Sequence, residues 1–300
     1  MNNSIIKGVI LVAVGAASYG VLAIFVKLGG EDGFSTAELT FAQTFTGLIV
    51  LFAMHLLSKK TNNVQTARIP TKREKLSLML GGIPLGLTSS FYYLSLTYTS
   101  VSVCIVLLMQ SVWMGSVLDL VVNKTKPSKE KIIAIVIVLI GTVLATNLLN
   151  SEIILDMKGI FWGLLAALSY TFTLFSSNRI AVKYPPLTRS LYMMVGSLCI
   201  VSIIWGYSLF QQFDVTVLLK WGLILALFGT ILPPLFFTKG MPITGVGLGS
   251  ILASVELPIS VIAAKIILHE KVDSIQWFGI LLILVAVVVM NYSLLRKKNS

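Results

Sequence analysis

"KGVILVAVGAASYG", residues 7–20, returns in altered form as "KGIFWGLLAALSYT", residues 158–171. Lys7 and Gly8 align with Lys158 and Gly159, Ala16 with Ala167, and Ser18 and Tyr19 with Ser169 and Tyr170. The two copies start 151 positions apart in a chain of 300 residues, so the repeat unit is half the protein. This divides the chain into two related units, residues 1–150 and 151–300.

Each copy opens on an apolar run, and such runs continue from end to end. Hydrophobic residues make up 56% of the chain and charged residues 12%, with a mean hydropathy of +0.91. A soluble domain carries about 25% charged residues, so the expected solvent is a bilayer. A run of roughly 20 apolar residues at about 1.5 Å per residue crosses a hydrocarbon core of about 30 Å. Ten such runs are expected, over 5–28, 36–58, 76–97, 101–122, 130–149, 159–179, 188–210, 219–238, 246–268 and 274–295. The fold class is therefore an all-α integral membrane protein with ten transmembrane helices.

The net charge of +11 is placed asymmetrically. With the amino terminus in the cytoplasm, the inner side holds Lys7; Lys59, Lys60, Arg68, Lys72, Arg73 and Lys75; and Lys124, Lys126, Lys129 and Lys131. It also holds Arg179, Lys183 and Arg189; Lys239; and Arg296, Lys297 and Lys298. Only Lys27, Lys158, Lys220 and Lys271 fall outside, with Lys265 inside a segment. This is the positive-inside bias, and it sets both termini in the cytoplasm. Acidic residues Glu31, Asp32, Glu38, Glu152, Asp156, Asp214, Glu270 and Asp273 fall outside, which further disfavours a nucleic-acid partner. A bacterial plasma membrane is the expected location.

A lysine followed by an apolar run also resembles a cleaved secretory signal. The matching run at 158 lies mid-chain, which argues for retention of both. Cys104 and Cys199 sit in apolar segments with no metal-ligand spacing, and His55 and His269 stand alone, so neither a metal site nor a cofactor is expected.

Five segments per copy is an odd number, so the second copy enters the membrane from the opposite side. Inverted repeats of this kind suit a carrier that alternates between outward- and inward-open states around a midplane site. Loops are short, the longest being about 17 residues, from 59 to 75, which leaves no room for a soluble catalytic domain.

The opening helices "AASYGVLAIFVK" (16–27) and "AALSYTFTLFSSNRIA" (166–181) carry a resemblance, together with "SSFYYLSLTYTSVSVCIVLLMQSVW" (89–113) and "FFTKGMPITGVGLGSILASVELPISVIAAKIILHEKV" (236–272). On these residues, and over essentially its whole length, the chain resembles the EamA type of the drug/metabolite transporter superfamily. The resemblance implies export of metabolites, amino acids or drugs, with the first four helices of each half around a cavity and the fifth and tenth peripheral. The family often has an arginine where Gln43 stands and a proline near Val112. Within the same fold, an organic-anion or nucleotide-sugar carrier is the alternative; a non-transporting membrane scaffold or enzyme is the rival from another class. One intramembrane carboxylate without nucleophile, base or metal partners gives no support to an enzyme.

That carboxylate is Glu256, near the middle of an apolar segment, where a charge costs at least about 2.5–3.5 kcal/mol. It reads as a cavity-facing anchor for a cationic or amino group, or as the proton site of coupled export; the plain alternative is a structural acid among small residues. Tyr19 and Tyr170, as repeat mates, are candidates for two sides of one site, against ordinary helix packing. Gln43, Tyr93, Gln110 and Trp113 complete the substrate-binding set, Gln110 and Trp113 sharing a helix face at i and i+3. Pro84, Pro233 and Pro258 are hinge candidates because each removes a backbone donor. Pro84 and Pro233 stand near the repeat distance, and paired interruptions point to a transporter's binding region. Lys265 is expected to reach the interface along its own stem, and Asp119 to be an end-of-helix charge near Lys124. Expected partners are a small-molecule substrate, protons and the lipid bilayer, with a homodimer left open by the sequence.

Overall fold

The computed structural model describes residues 3–61, 70–99, 101–124, 126–146, 156–269 and 271–297. Arg68, Glu152, Glu270 and Lys298, used above to place charge, lie outside them. Among the described residues all regular structure is helical. The helices are α1 (Asn3–Glu31), α2 (Thr36–Thr61), α3 (Lys72–Leu96), α4 (Val101–Leu108), α5 (Ser111–Asn123) and α6 (Lys129–Ala145). They continue with α7 (Met157–Arg179), α8 (Pro186–Gln211), α9 (Leu223–Ala226), α10 (Leu232–Thr244), α11 (Val246–Ala253), α12 (Glu256–Ile267) and α13 (Ser274–Lys297).

Local chemistry starts several of them. Thr71 and Glu74 form a reciprocal capping box at α3, Ser128 accepts from the Lys131 amide at α6, and Asp156 accepts from the Lys158 amide at α7. Short α9 is flanked by π-helical turns at Leu218–Gly222 and Leu227–Ile231. The second of these turns ends just before Pro233 and Pro234, whose missing N–H groups leave the preceding carbonyls to re-pair: the Leu232 amide reaches back to the Leu227 carbonyl.

Among the described residues, seven helical stretches are long and apolar enough to cross a membrane, where the sequence reading expects ten. The shortfall lies in α3, α6 and α13. In α3 the apolar content is diluted by Ser77, Thr88, Ser89, Ser90, Tyr92, Tyr93 and three glycines. In α6 the helix is 17 residues long, and in α13 the apolar part runs from Ser274 to Met290. The polarity of α3 reflects its place, packed against α7 and α8. Elsewhere α1 packs on α10 and α12, α2 on α8 and α9, α5 on α11, and α6 on α13.

Glycines set how close these pairs come. A Cβ at Gly82 in α3 would overlap the Met193 carbonyl of α8, and one at Gly196 in α8 would overlap the Met79 carbonyl of α3. The two backbones are in direct contact, as small residues allow in membranes. On the outside, large apolar side chains face away from the bundle, with Phe210 92% and Leu219 87% exposed, as lipid contact requires.

Candidate functional site

A cavity of about 420 Å³ runs between the helices. Its wall extends from mid-helix positions, among them Tyr19, Leu85, Leu108, Tyr170 and Glu256, to the helix ends at Lys27, Gly30, Leu96 and Leu268. One face of α3 supplies Leu85, Thr88, Ser89, Tyr92, Tyr93 and Leu96, spaced as one side of a helix. The volume lies in the usual range for a small-molecule site, about 300–1,000 Å³.

Glu256 is half-buried at the first position of α12 and is the one acidic side chain among the described lining residues. The Tyr170 hydroxyl donates to its Oε2 at 3.4 Å. Tyr170 in turn meets Tyr19 edge-on, ring centres 6.0 Å apart, and Tyr19 leans on Phe237 at 5.9 Å. The repeat mates of the opening motif therefore touch. Glycine at position 20 lets α1 close on α12, because a Cβ there would overlap the Glu256 carbonyl and crowd the Ser260 amide at 2.9 Å. The Tyr93 hydroxyl donates to Gln43 Oε1 at 3.3 Å.

Glu256 sits where the ninth segment is interrupted. Between α11 and α12 the bonds tighten to i→i−3, with Val255 N–H on the Leu252 carbonyl and Leu257 N–H on that of Ser254, both at 3.2 Å. The Ser254 carbonyl that Pro258 cannot reach is thereby satisfied. A matching break separates α4 from α5, where Gln110 N–H bonds the Leu107 carbonyl at 3.0 Å and Val112 N–H that of Met109 at 3.1 Å.

At the other end of the bundle the helices close. Below the cavity Met109, Val112, Phe237, Met241 and Ile251 are buried together, and the Ser250 hydroxyl donates to the Val112 carbonyl at 3.2 Å, tying α11 to α5. Lys183 Nζ lies 2.5 Å from Glu74 Oε1 and the Tyr184 hydroxyl donates to Glu74 Oε2 at 2.7 Å, joining α3 to the α7–α8 connection. The Lys183 ammonium, helped by the Thr71 amide and the Tyr184 hydroxyl, holds the Glu74 carboxyl well below the usual range. On the cavity side, Lys220 and Trp221 lower Asp32 in the same way, at 2.7 and 2.8 Å.

A family model described as the EamA-like transporter family matches residues 6–147 and again 157–292. The chain belongs to the EamA-like transporter family. It is an integral membrane transporter, and the double match covers both halves of the opening repeat. No curated protein matches. Twenty-eight chains of solved structures match; one, titled only "Crystal structure of protein", is 15% identical over 94% of this chain and 96% of its own, with a TM-score of 0.73. At that identity the likeness is one of fold.

Within the EamA-like bundle the candidate residues divide. Tyr19, Tyr93, Tyr170 and Glu256 stand on the cavity wall. Gln43 is fully buried behind Tyr93, with Thr230 Oγ1 donating to its backbone carbonyl at 2.9 Å. Gln110 and Trp113 do not line the cavity: Trp113 is 39% exposed, and its indole N–H donates to Gln110 Oε1 at 2.9 Å. Their shared helix face lies off the cavity wall. Pro84 lies inside the continuous α3, while Pro233 and Pro258 sit in the first turns of α10 and α12. Asp119 pairs with Lys131 of α6 at 3.1 Å rather than with Lys124, which a left-handed backbone at φ 54° turns aside. Lys265 Nζ lies 5.0 Å from the centre of the Trp277 ring.

Sequence reasoning overlooked Thr88, Ser89 and Gln276 as wall residues. For the first two a signal existed, in the polar stripe at 88, 89, 92 and 93 of α3. Arg189, counted among the inner-side charges at the start of the run 188–210, is 1% exposed. Its guanidinium donates to the carbonyls of Ile180 at 3.0 Å, Ser177 at 2.6 Å and Thr238, binding the end of α7 and the middle of α10 to α8. Nothing in a proline-flanked arginine distinguishes that role beforehand.

Proposed function

We propose that this EamA-like chain exports a small amphipathic molecule, a metabolite, amino acid or drug-like compound, by alternating access. The carrier has ten membrane segments in two inverted five-segment halves, both termini cytoplasmic, in a bacterial plasma membrane. The helix pairing supports the inversion. If segments one to five correspond to six to ten, α3 on α7 exchanges with α1 on α10, and α3 on α8 with α2 on α9. The pairs α5 with α11 and α6 with α13 exchange with themselves. The matching breaks at Met109–Gln110 and Ser254–Val255 obey the same exchange, and interrupted helices in corresponding places mark the binding region of such carriers.

The single observation that carries the reading is the cavity ending on Glu256 among Tyr19, Tyr93 and Tyr170, closed beyond by packed side chains. By the charge distribution the open end faces outward. Glu256 binds the polar group of the solute or takes up the proton exchanged for it, since an acid held in a membrane needs such a use to offset its cost. The test is flux in proteoliposomes under an imposed pH gradient, comparing native protein with Glu256→Gln. Solute-dependent proton flux is expected, falling at least about tenfold in the variant if the carboxylate makes a charge-assisted contact. Equal flux in both returns Glu256 to a structural role.

A further inference from the structure

We infer that Gln43, by holding the Tyr93 hydroxyl proton, makes the deep end of the cavity a hydrogen-bond acceptor surface that selects a solute bearing an ammonium or amidinium group on an apolar body. This rests on the carrier reading above and narrows it to a chemical class. Tyrosine has one O–H to give and lone pairs to accept with. That of Tyr93 is spent on Gln43 Oε1 at 3.3 Å, that of Tyr170 on Glu256 Oε2 at 3.4 Å, and that of Thr88 on the Pro84 carbonyl at 2.7 Å. What these three oxygens have left for a ligand is acceptance, and Glu256 in its ionised form also only accepts. The hydroxyls of Tyr19, Ser89, Tyr92 and Ser260 keep both roles open and do not set the polarity.

Gln43 is the residue that decides the Tyr93 side. Its side chain is 0% exposed and has no direct access to the cavity, so it acts through Tyr93 as a positioning residue. Its amide is wedged: the Nε2 side lies against Gly229, where a Cβ would come within 2.6 Å of it, and its backbone carbonyl is tied to Thr230 Oγ1 at 2.9 Å. That Nε2 is buried without a hydrogen-bond partner, so the amide forgoes a bond on one side while accepting the tyrosine proton on the other. Gly229, in the π-helical turn, leaves the room in which this amide lies beside Tyr93. Lys27 and Lys271 line the opposite end of the cavity, at the helix termini, where water screens them. An ammonium group seated at Glu256 meets acceptors on all fixed sides; a carboxylate seated there meets a like charge and lone pairs.

The test uses the full chain in lipid nanodiscs with two probes of one skeleton, phenethylamine and 3-phenylpropanoate, whose affinities are compared by calorimetry. The amine is expected to bind at least about tenfold more tightly, the scale of one charge-assisted hydrogen bond. Gln43→Leu releases the Tyr93 proton to the cavity, so the carboxylate gains and the ratio falls at least about threefold, with the thermal midpoint as a check of folding. Tyr93→Phe, which keeps the ring, weakens the amine with no gain for the carboxylate. Equal affinities in the native protein overturn the inference. So does a ratio that neither variant changes, and Tyr93→Phe alone decides if Gln43→Leu does not fold. Proteoliposome flux of the same probes separates the two readings: selective binding without any transport removes the carrier reading and leaves the acceptor surface standing.

Discussion

At the scale of single residues, contact between backbones is the most exacting constraint. Gly82 and Gly196 face each other's helices so closely that a methyl group at either would strike a carbonyl oxygen, and neither main chain can yield without moving a whole helix. Overpacking of this kind costs about 1–3 kcal/mol. We expect Gly82→Ala and Gly196→Ala each to lower the thermal midpoint of the detergent-solubilised protein by several degrees. Gly206→Ala, with nothing within 4 Å of its Cβ, is the control and should leave it unchanged or slightly raised. A midpoint unaltered in the first two would mean that α3 and α8 are farther apart than described. The spacing-four glycines of a membrane chain announce close packing in general terms; which carbonyl each meets depends on the partner helix, which one sequence does not disclose. The same limit applies at the site. Tyr19 and Tyr170 were visible because the repeat pairs them, and Glu256 because a charge in an apolar run stands out. Gln43 was visible only through the family resemblance, which often has an arginine there, and its position behind Tyr93 follows from packing of α2 against α3 and the π-helical turn.

At the scale of elements, the interruptions of the fourth and ninth segments invite comparison, because one contains a proline and the other does not. The α4–α5 break forms the same tightened i→i−3 bonds at Gln110 and Val112 that the α11–α12 break forms at Val255 and Leu257. A helix broken without proline is broken by its surroundings. At α12 those surroundings are the approach of α1, where Gly20 rests on the Glu256 carbonyl, and the Ser254 hydroxyl, which bonds the Ile251 carbonyl at 2.7 Å. Pro258 fits a break that packing already imposes. We therefore expect Pro258→Ala to fold, with flux within about threefold of native, whereas Gly20→Val, which pushes α1 off α12, abolishes it. If Pro258→Ala instead abolishes flux in a folded protein, the proline is a hinge in its own right. The sequence disclosed the proline and the carboxylate, but the companion break at Met109–Gln110 lacks any composition signal, since the run 101–122 reads as one uninterrupted apolar helix. Proline is thus neither necessary nor sufficient for a break: the one at Met109–Gln110 has none, and Pro84 lies inside continuous α3.

At the scale of the whole molecule, the two ends of the bundle differ in kind. The cavity end has helix termini standing apart around solvent-facing lysines, while the other end is shut by packed side chains and by Glu74 bridging α3 to Lys183 and Tyr184 between α7 and α8. A carrier that alternates must undo that bridge in each cycle, so its contribution has to be small beside the packing. Its exposure ensures this, because water and salt screen the pair. The Glu74 carboxyl is held below its ordinary value, so the folded state favours the charged form more than the unfolded chain does. The stabilisation is complete above the ordinary carboxylate pKa of about 4.3 and is lost as pH falls through the depressed folded value. Thermal midpoints measured downward from about pH 6 should therefore decline in the native protein, and Glu74→Gln should show a lower plateau with a shallower acid limb. The difference between the two should shrink in high salt if the bridge is electrostatic. Parallel acid limbs would assign the closed end to side-chain packing alone, and that closure would then rest on Met109, Val112, Met241 and Ile251, residues of the broken segments and their neighbours, rather than on any charge that the loops supply.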